Sequence, residues 1–177
     1  IYIINLVYFI DIMIKNIFNK TDKSKEISKK IYVDIINSSN EIVNDPELTL
    51  EKNYNVSFEI VCLLIIIFLK VSNNKKIINY SSINQNLIDI FVNDLDESLR
   101  EKGIGDMSIG KYVKAYVKKF YYRLSKFHDL SINNKNNYLK AYLENLDFTN
   151  DNDLEKIINK LIIFEKKLVK DISSLIN

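Results

Sequence analysis

The chain has no tryptophan, one cysteine, one histidine, one proline and only three glycines in 177 residues. Each scarcity excludes something. With Cys62 alone, no disulfide can form within the chain, and nothing argues for an oxidised, secreted scaffold. A thiol pair and a C-x-x-C-H run are both missing, which excludes covalent cofactor attachment. The single histidine, His128, offers no imidazole cluster for a metal, and no cysteine, serine or carboxylate motif frames it for catalysis. It reads as a helix-end residue, where a protonated ring suits the dipole. Low glycine, proline and tryptophan beside abundant isoleucine, asparagine, lysine and tyrosine match an AT-rich genome, which accounts for the asparagine tracts without a function. A formal charge of +2 is too small to imply nucleic acid by itself.

What is present is apolar residue in helical rhythm. A chain of 177 residues suits one domain, able to bury about two-thirds of its unfolded surface. Ile27, Ile31, Ile35 and Ile42 recur on one side of residues 25–40, opposite lysines and Glu26, and predict an amphipathic helix. Residues 41–55, with Pro46, Asn53 and Asn55, read as loop. From Val56 to Leu69 the chain is apolar nearly all round, which predicts a central buried helix, too short to cross a membrane, with Cys62 as a core thiol. A polar linker at 72–76 precedes a helix expected to begin at Ser81 or Ser82, either of which can cap it. That helix runs to Lys102 on a stripe of Leu87, Ile88, Phe91, Leu95 and Leu99. Ser108 is the expected N-cap of the next, whose Val113, Val117, Phe120, Leu124 and Phe127 face inward. A loop at 129–137, a short helix at 138–146 and a last helix capped within 150–153 complete the chain. The last carries Leu154, Ile157, Leu161, Phe164, Leu168, Ile172 and Leu175. The expected fold is an all-α, single compact domain of about six helices without internal repeats.

Residues 1–12 are mostly apolar, but Asn5 and Asp11 interrupt them and they fall short of the ~20 residues a bilayer span needs. Met13 opens a basic–apolar start, so 1–12 read as an upstream extension and 13–177 as the domain. The start shows no small-residue cleavage site and no arginine-rich transit peptide.

Gly103, Gly105 and Gly110 all fall between Leu99 and Lys111. Gly103 and Gly105 are expected to end one helix and re-aim the chain, Gly105 in a positive-φ turn. Gly105 to Lys111 also matches G-x-x-x-x-G-K. Tyr112, however, stands where a magnesium-binding hydroxyl is required, and the preceding segment is helical rather than a buried strand. The stretch is a helix–helix corner.

The corner joins an acidic helix to a basic one. Asp94, Asp96, Glu97 and Glu101 could suggest a metal cluster, but Asp96 turns away from the face of Asp94 and Glu97, and a solvated acidic face is the better reading. Arg100 is expected to pair with Asp96 one turn back, and Asp106 to cap the following helix. The functional alternative is that Arg100, Glu101, Asp106 and Lys111 present a charged recognition surface, continued by Lys114, Lys118, Lys119 and Arg123. The basic helix 109–128 is either a plain solvated face or a contact to ribosomal RNA or anionic lipid. Tyr112, Tyr116, Tyr121 and Tyr122 add stacking or interfacial capacity.

The run Asp94-Leu-Asp96-Glu-Ser-Leu99-Arg100-Glu101-Lys-Gly103-Ile-Gly105-Asp106, then Lys111 and Phe120-Tyr121-Tyr122-Arg123, resembles the signature of the ubiquinol–cytochrome c chaperone family, alphaproteobacterial and mitochondrial proteins that assist assembly of respiratory complex III. Upstream, Phe58-Glu59-Ile-Val-Cys-Leu63 and the apolar run to Leu69 resemble the helix before that signature. The resemblance covers residues 13–130 and is strongest over 56–127. Three positions depart from the pattern: Tyr122 stands where glycine is expected, Val56-Ser57 where a Gly-Arg pair is expected, and Leu64 where histidine is expected. The resemblance implies a non-enzymatic chaperone without cofactor or metal, whose client is newly made cytochrome b. It also implies a second assembly factor in mitochondrial relatives, and a place in the bacterial cytoplasm, peripheral to the inner membrane (the matrix side in mitochondria). The alternative is a small nucleic-acid-binding regulator using helix 109–128. The lysines of that helix position on phosphate and read little sequence, so specific DNA is not expected.

Overall fold

The computed structural model describes the backbone of residues 2–74, 80–128, 143 and 151–176, and the side chains of 23–73, 80–127, 143 and 153–171. Its elements are α1 (Tyr2–Val43), α2 (Tyr54–Asn74), α3 (Tyr80–Glu101), α4 (Asp106–His128) and α5 (Asp151–Ile176). Among the described residues every regular element is a helix, packed as one domain. The expected short helix at 138–146 lies outside the described residues, except that Leu143 is fully buried.

The centre of the domain is α2. Every residue from Phe58 to Phe68 is buried, Cys62 included. The expectation that this run is too short to span a bilayer needs correction: Tyr54–Asn73 is long and apolar enough, and 78% of its most apolar stretch lies inside the bundle. It is a core helix because α1, α3, α4 and α5 all pack on it. Asn53 starts it, its side chain accepting the Val56 amide at 3.0 Å, the expected behaviour of an N-cap. Ser72, expected in a linker, is instead a buried residue of α2 whose hydroxyl meets Leu69 O at 2.9 Å and Asn84 Oδ1 at 3.0 Å.

On α1 the buried line is Ser24, Ser28, Tyr32, Ile35, Ser39 and Ile42, with Ile27 and Ile31 only half-buried beside it. Small hydroxyl residues let α1 lie close on α3. Ser28 Oγ sits 2.7 Å from its own helix's Ser24 O and 3.0 Å from Ile83 O, and Asn86 Nδ2 donates to Ser24 Oγ at 3.0 Å. Farther along, Tyr32 donates to Asp94 at 2.7 Å. Ser24 and Ser28 meet the first turns of α3 and Tyr32 meets Asp94 farther along it, so α1 and α3 run in the same sense, with α2 as the return.

The α1–α2 connection is strapped to α5. Asp45 sits 2.5 Å from Lys160 Nζ, Glu47 O accepts from Lys156 at 3.0 Å, and Thr49 donates its amide to Asp153 at 2.9 Å. The alternate residues Leu48 and Leu50 are buried. This two-residue alternation set against one face of a helix makes the loop part of the core.

Candidate functional site

The corner is built from local hydrogen bonds. At the end of α3, Gly103 N bonds Arg100 O at 2.8 Å and Ile104 N bonds Leu99 O at 3.2 Å. That nested pair is a Schellman motif, and it needs a left-handed residue at its first position past the helix. Gly103 supplies it, with φ of 85°. Two expectations about the other glycines are corrected. Gly105 has no positive φ; its carbonyl accepts from Ser108 N and Ile109 N at 2.9 and 3.1 Å, so Gly105, not Ser108, is the N-cap of α4. Gly110 lies within α4 and takes no part in the turn. Ser81 and Ser82 likewise lie inside α3 rather than capping it.

Arg100 pins the turn from outside. Its Nε donates to Asp96 at 2.5 Å and its Nη1 to Asp106 across the corner. Those two carboxylates, Asp96 first, raise the guanidinium above its ordinary value. Asp106 therefore serves as an acidic first-turn residue and as the partner of Arg100, rather than as the capping residue. Glu101 is exposed at the end of α3. Lys102 sits over the Tyr54 ring, 4.4 Å from its centroid, joining the corner to the start of α2.

Behind the corner lies an aromatic seam. Tyr116 meets Tyr54 edge-on at 5.4 Å and Phe58 at 4.8 Å, and Phe91 lies 5.1 Å from Phe120. Burial pushes the Tyr54 and Tyr116 phenols up from their ordinary values. Beside the seam, α1, α2 and α3 enclose a cleft of ≈ 140 Å³ lined by Tyr32, Tyr54, Phe58, Phe91, Asp94 and Ser98, among others. Burial first, and Asp94 second, hold the Tyr32 phenol far above its usual range. Burial also keeps the Cys62 thiol well above its ordinary value, so it is a packing residue rather than a nucleophile.

The structure divides the expected cationic residues of α4 into two sets. Lys111, Lys114, Lys118, Lys119 and Lys126 are exposed, as expected. Arg123 is not part of that face. It turns inward, donates through Nε to Glu59 Oε2 at 2.5 Å and through Nη2 to Glu59 Oε1, and lies 5.8 Å from the Phe58 ring centroid. Sequence reasoning placed it outward because α4 alone gives no sign of the acid waiting on α2. Tyr112, Tyr121 and Tyr122 are exposed, as is Met107, which the sequence reading did not single out. Asp94, Asp96, Glu97 and Glu101 form no metal-binding group, and none of three or more His, Cys, Asp or Glu occurs among the described residues. The arrangement offers charged, aromatic and apolar contact surface, and is suited to binding.

A family model described as Ubiquinol-cytochrome C chaperone matches residues 47–175, which takes in α2, α3, the corner, α4 and nearly all of α5. No curated protein matches the chain. The crystal structure of the Cbp3 homolog from Brucella abortus shares the fold, with a TM-score of 0.67, 24% sequence identity and 88% of each chain covered.

Proposed function

The chain belongs to the ubiquinol–cytochrome c chaperone family, and from that premise we propose that it is a non-enzymatic chaperone that binds newly made cytochrome b during assembly of ubiquinol–cytochrome c reductase. The observation that carries this reading is the family match across 129 contiguous residues, 47–175, which includes the corner and the whole of α4. In this reading the protein works in the bacterial cytoplasm, peripheral to the inner membrane, where a polytopic client emerges. A second assembly factor belongs to the same proposal.

The geometry supports contact at several small points rather than engulfment. The ≈ 140 Å³ cleft beside Tyr54 has room for one side chain, not a helix. Ile163 and Val33 add separate exposed apolar positions on α5 and α1. Client binding on such a surface draws on a few anchors surrounded by polar rim.

Affinity purification of the tagged protein from gently solubilised native cells, with mass spectrometry, tests the proposal. Specific recovery of cytochrome b, reduced by Asp106→Lys at the corner, is the expected result. Normal complex III levels in a strain lacking the protein, with no cytochrome b recovered, overturn it.

A further inference from the structure

We propose that the outer face of α4 is a docking surface for an anionic lipid bilayer, which it meets lying flat. At 100° per residue, Met107, Lys111, Lys114, Lys118 and Tyr122 fall within one sector of roughly 100°, opposite the buried Phe120. The row is roughly 22 Å long, from Met107 at one end to Tyr122 at the other. Met107 is fully exposed and Tyr122 is 64% exposed, and Tyr121 flanks the row, with the exposed Tyr112 farther round the same helix. Four of the seven large apolar or aromatic side chains exposed on the described surface thus stand on this one helix. From Met107 to His128 the sequence carries no acidic residue. The acid that begins the helix, Asp106, is engaged by Arg100.

A lysine row with an apolar thioether and a phenol at its ends is the chemistry of the headgroup–acyl boundary. Lysine stems lie along the apolar layer while their ammonium groups meet lipid phosphates, and tyrosine rings settle at the interface. A nucleic-acid backbone fits the face less well. It gives Met107 nothing to bury against, and the one arginine that could fork onto phosphate, Arg123, is turned inward onto Glu59. The surface is separate from the cleft beside Tyr54, so this inference stands or falls apart from the identity of the client.

The test uses purified full-length protein and vesicles of phosphatidylglycerol mixed with phosphatidylethanolamine, against vesicles of phosphatidylcholine. Sedimentation with the anionic vesicles alone, weakening as salt is raised, is expected. Lys111→Glu, Lys114→Glu and Lys118→Glu together are expected to lower vesicle affinity by on the order of a hundredfold, at about fivefold per lysine lost, with circular dichroism and melting unchanged. The chain lacks tryptophan, so Met107→Trp introduces a single reporter whose emission shifts to the blue when it enters the interface. Equal sedimentation with both vesicle types, an unshifted reporter, or binding of duplex RNA without vesicle binding overturns the proposal. Vesicle binding that persists in a variant unable to recover cytochrome b leaves it intact.

Discussion

Arg123 on α4 holds Glu59 on α2 through two parallel hydrogen bonds, in a setting where the two side chains are only 14% and 9% exposed. Glu59 is the one charged residue on the buried stretch Phe58–Phe68, and Arg123 answers it from 64 positions away. A third donor, Nη1, reaches Lys119 O at 3.0 Å, so the guanidinium is also braced on its own helix.

Removing one partner leaves the other buried. Arg123→Ala is expected to destabilise the domain by about 3 kcal/mol or more. Replacing both, as Glu59→Leu with Arg123→Met, is expected to restore most of that loss, because apolar side chains of similar size remove the desolvation penalty. Urea denaturation of the two singles and the double gives the coupling directly. A single variant within a few tenths of a kcal/mol of wild type contradicts the clamp.

The three glycines are expected to separate by role. Gly103→Ala forces a side chain into the left-handed region and is expected to cost about 1–2 kcal/mol. Gly105→Ser gives α4 a hydroxyl cap and is expected to be neutral or slightly stabilising. An added Cβ at Gly110 meets nothing within 4 Å, so Gly110→Ala is expected to stabilise by about 0.5–1 kcal/mol. Thermal melts rank them, and a Gly105 variant worse than the Gly103 variant contradicts the geometry.

The strap across α5 carries a pH signature. Lys160 first, and the Glu47 amide second, hold the Asp45 carboxyl below its ordinary value. A lowered folded-state pKa means the contribution is present above the ordinary carboxylate pKa of 3.8 and is lost as pH falls through the folded value. Hydrogen exchange at Leu48 and Leu50 is expected to quicken on that acid side in wild type, and to show no such step in Asp45→Asn. Asp153→Ala removes the acceptor of the Thr49 amide and is expected to cost about 1–3 kcal/mol.

Tyr32 gives the alkaline counterpart. Its phenol is raised by burial and by Asp94. Its contribution is therefore full below the ordinary tyrosine value of 10.0 and is lost as pH rises past it, because the unfolded chain ionises first. Ultraviolet titration is expected to show a late-ionising tyrosine component that Tyr32→Phe removes. The same variant is expected to cost about 0.5–1.5 kcal/mol at neutral pH through the lost bond to Asp94. If every tyrosine of the folded protein ionises near 10.0, the buried phenol is refuted.

Much of this was legible in the order of residues, because the causes are local. Apolar spacing placed α2, α3, α4 and α5 to within a few residues. The i, i+4 relation placed Arg100 beside Asp96, and a glycine after an acidic amphipathic stretch marked the end of α3 at Gly103. The local signature of Asp94 to Asp106 also carried the family resemblance. Each of these rests on contacts within one turn or on the hydrophobic period of a single helix, which the chain carries before it packs.

Long-range partners were decided by packing. Serine carries no apolar signal, so burial of Ser24 and Ser28 followed from α3 lying close enough to supply Ile83 O and Asn86. Arg123 turned inward because docking of α4 on α2 brought Glu59 within reach; along α4 alone, an arginine is one more cation. Asp45, Glu47 and Thr49 strapped the loop down, with Leu48 and Leu50 in the core, only because α5 presented Lys160, Lys156 and Asp153 about one helical turn apart along their path. Helical rhythm is a property of neighbours a few residues apart, whereas the partner of a buried polar group is chosen by which helix the chain folds against it.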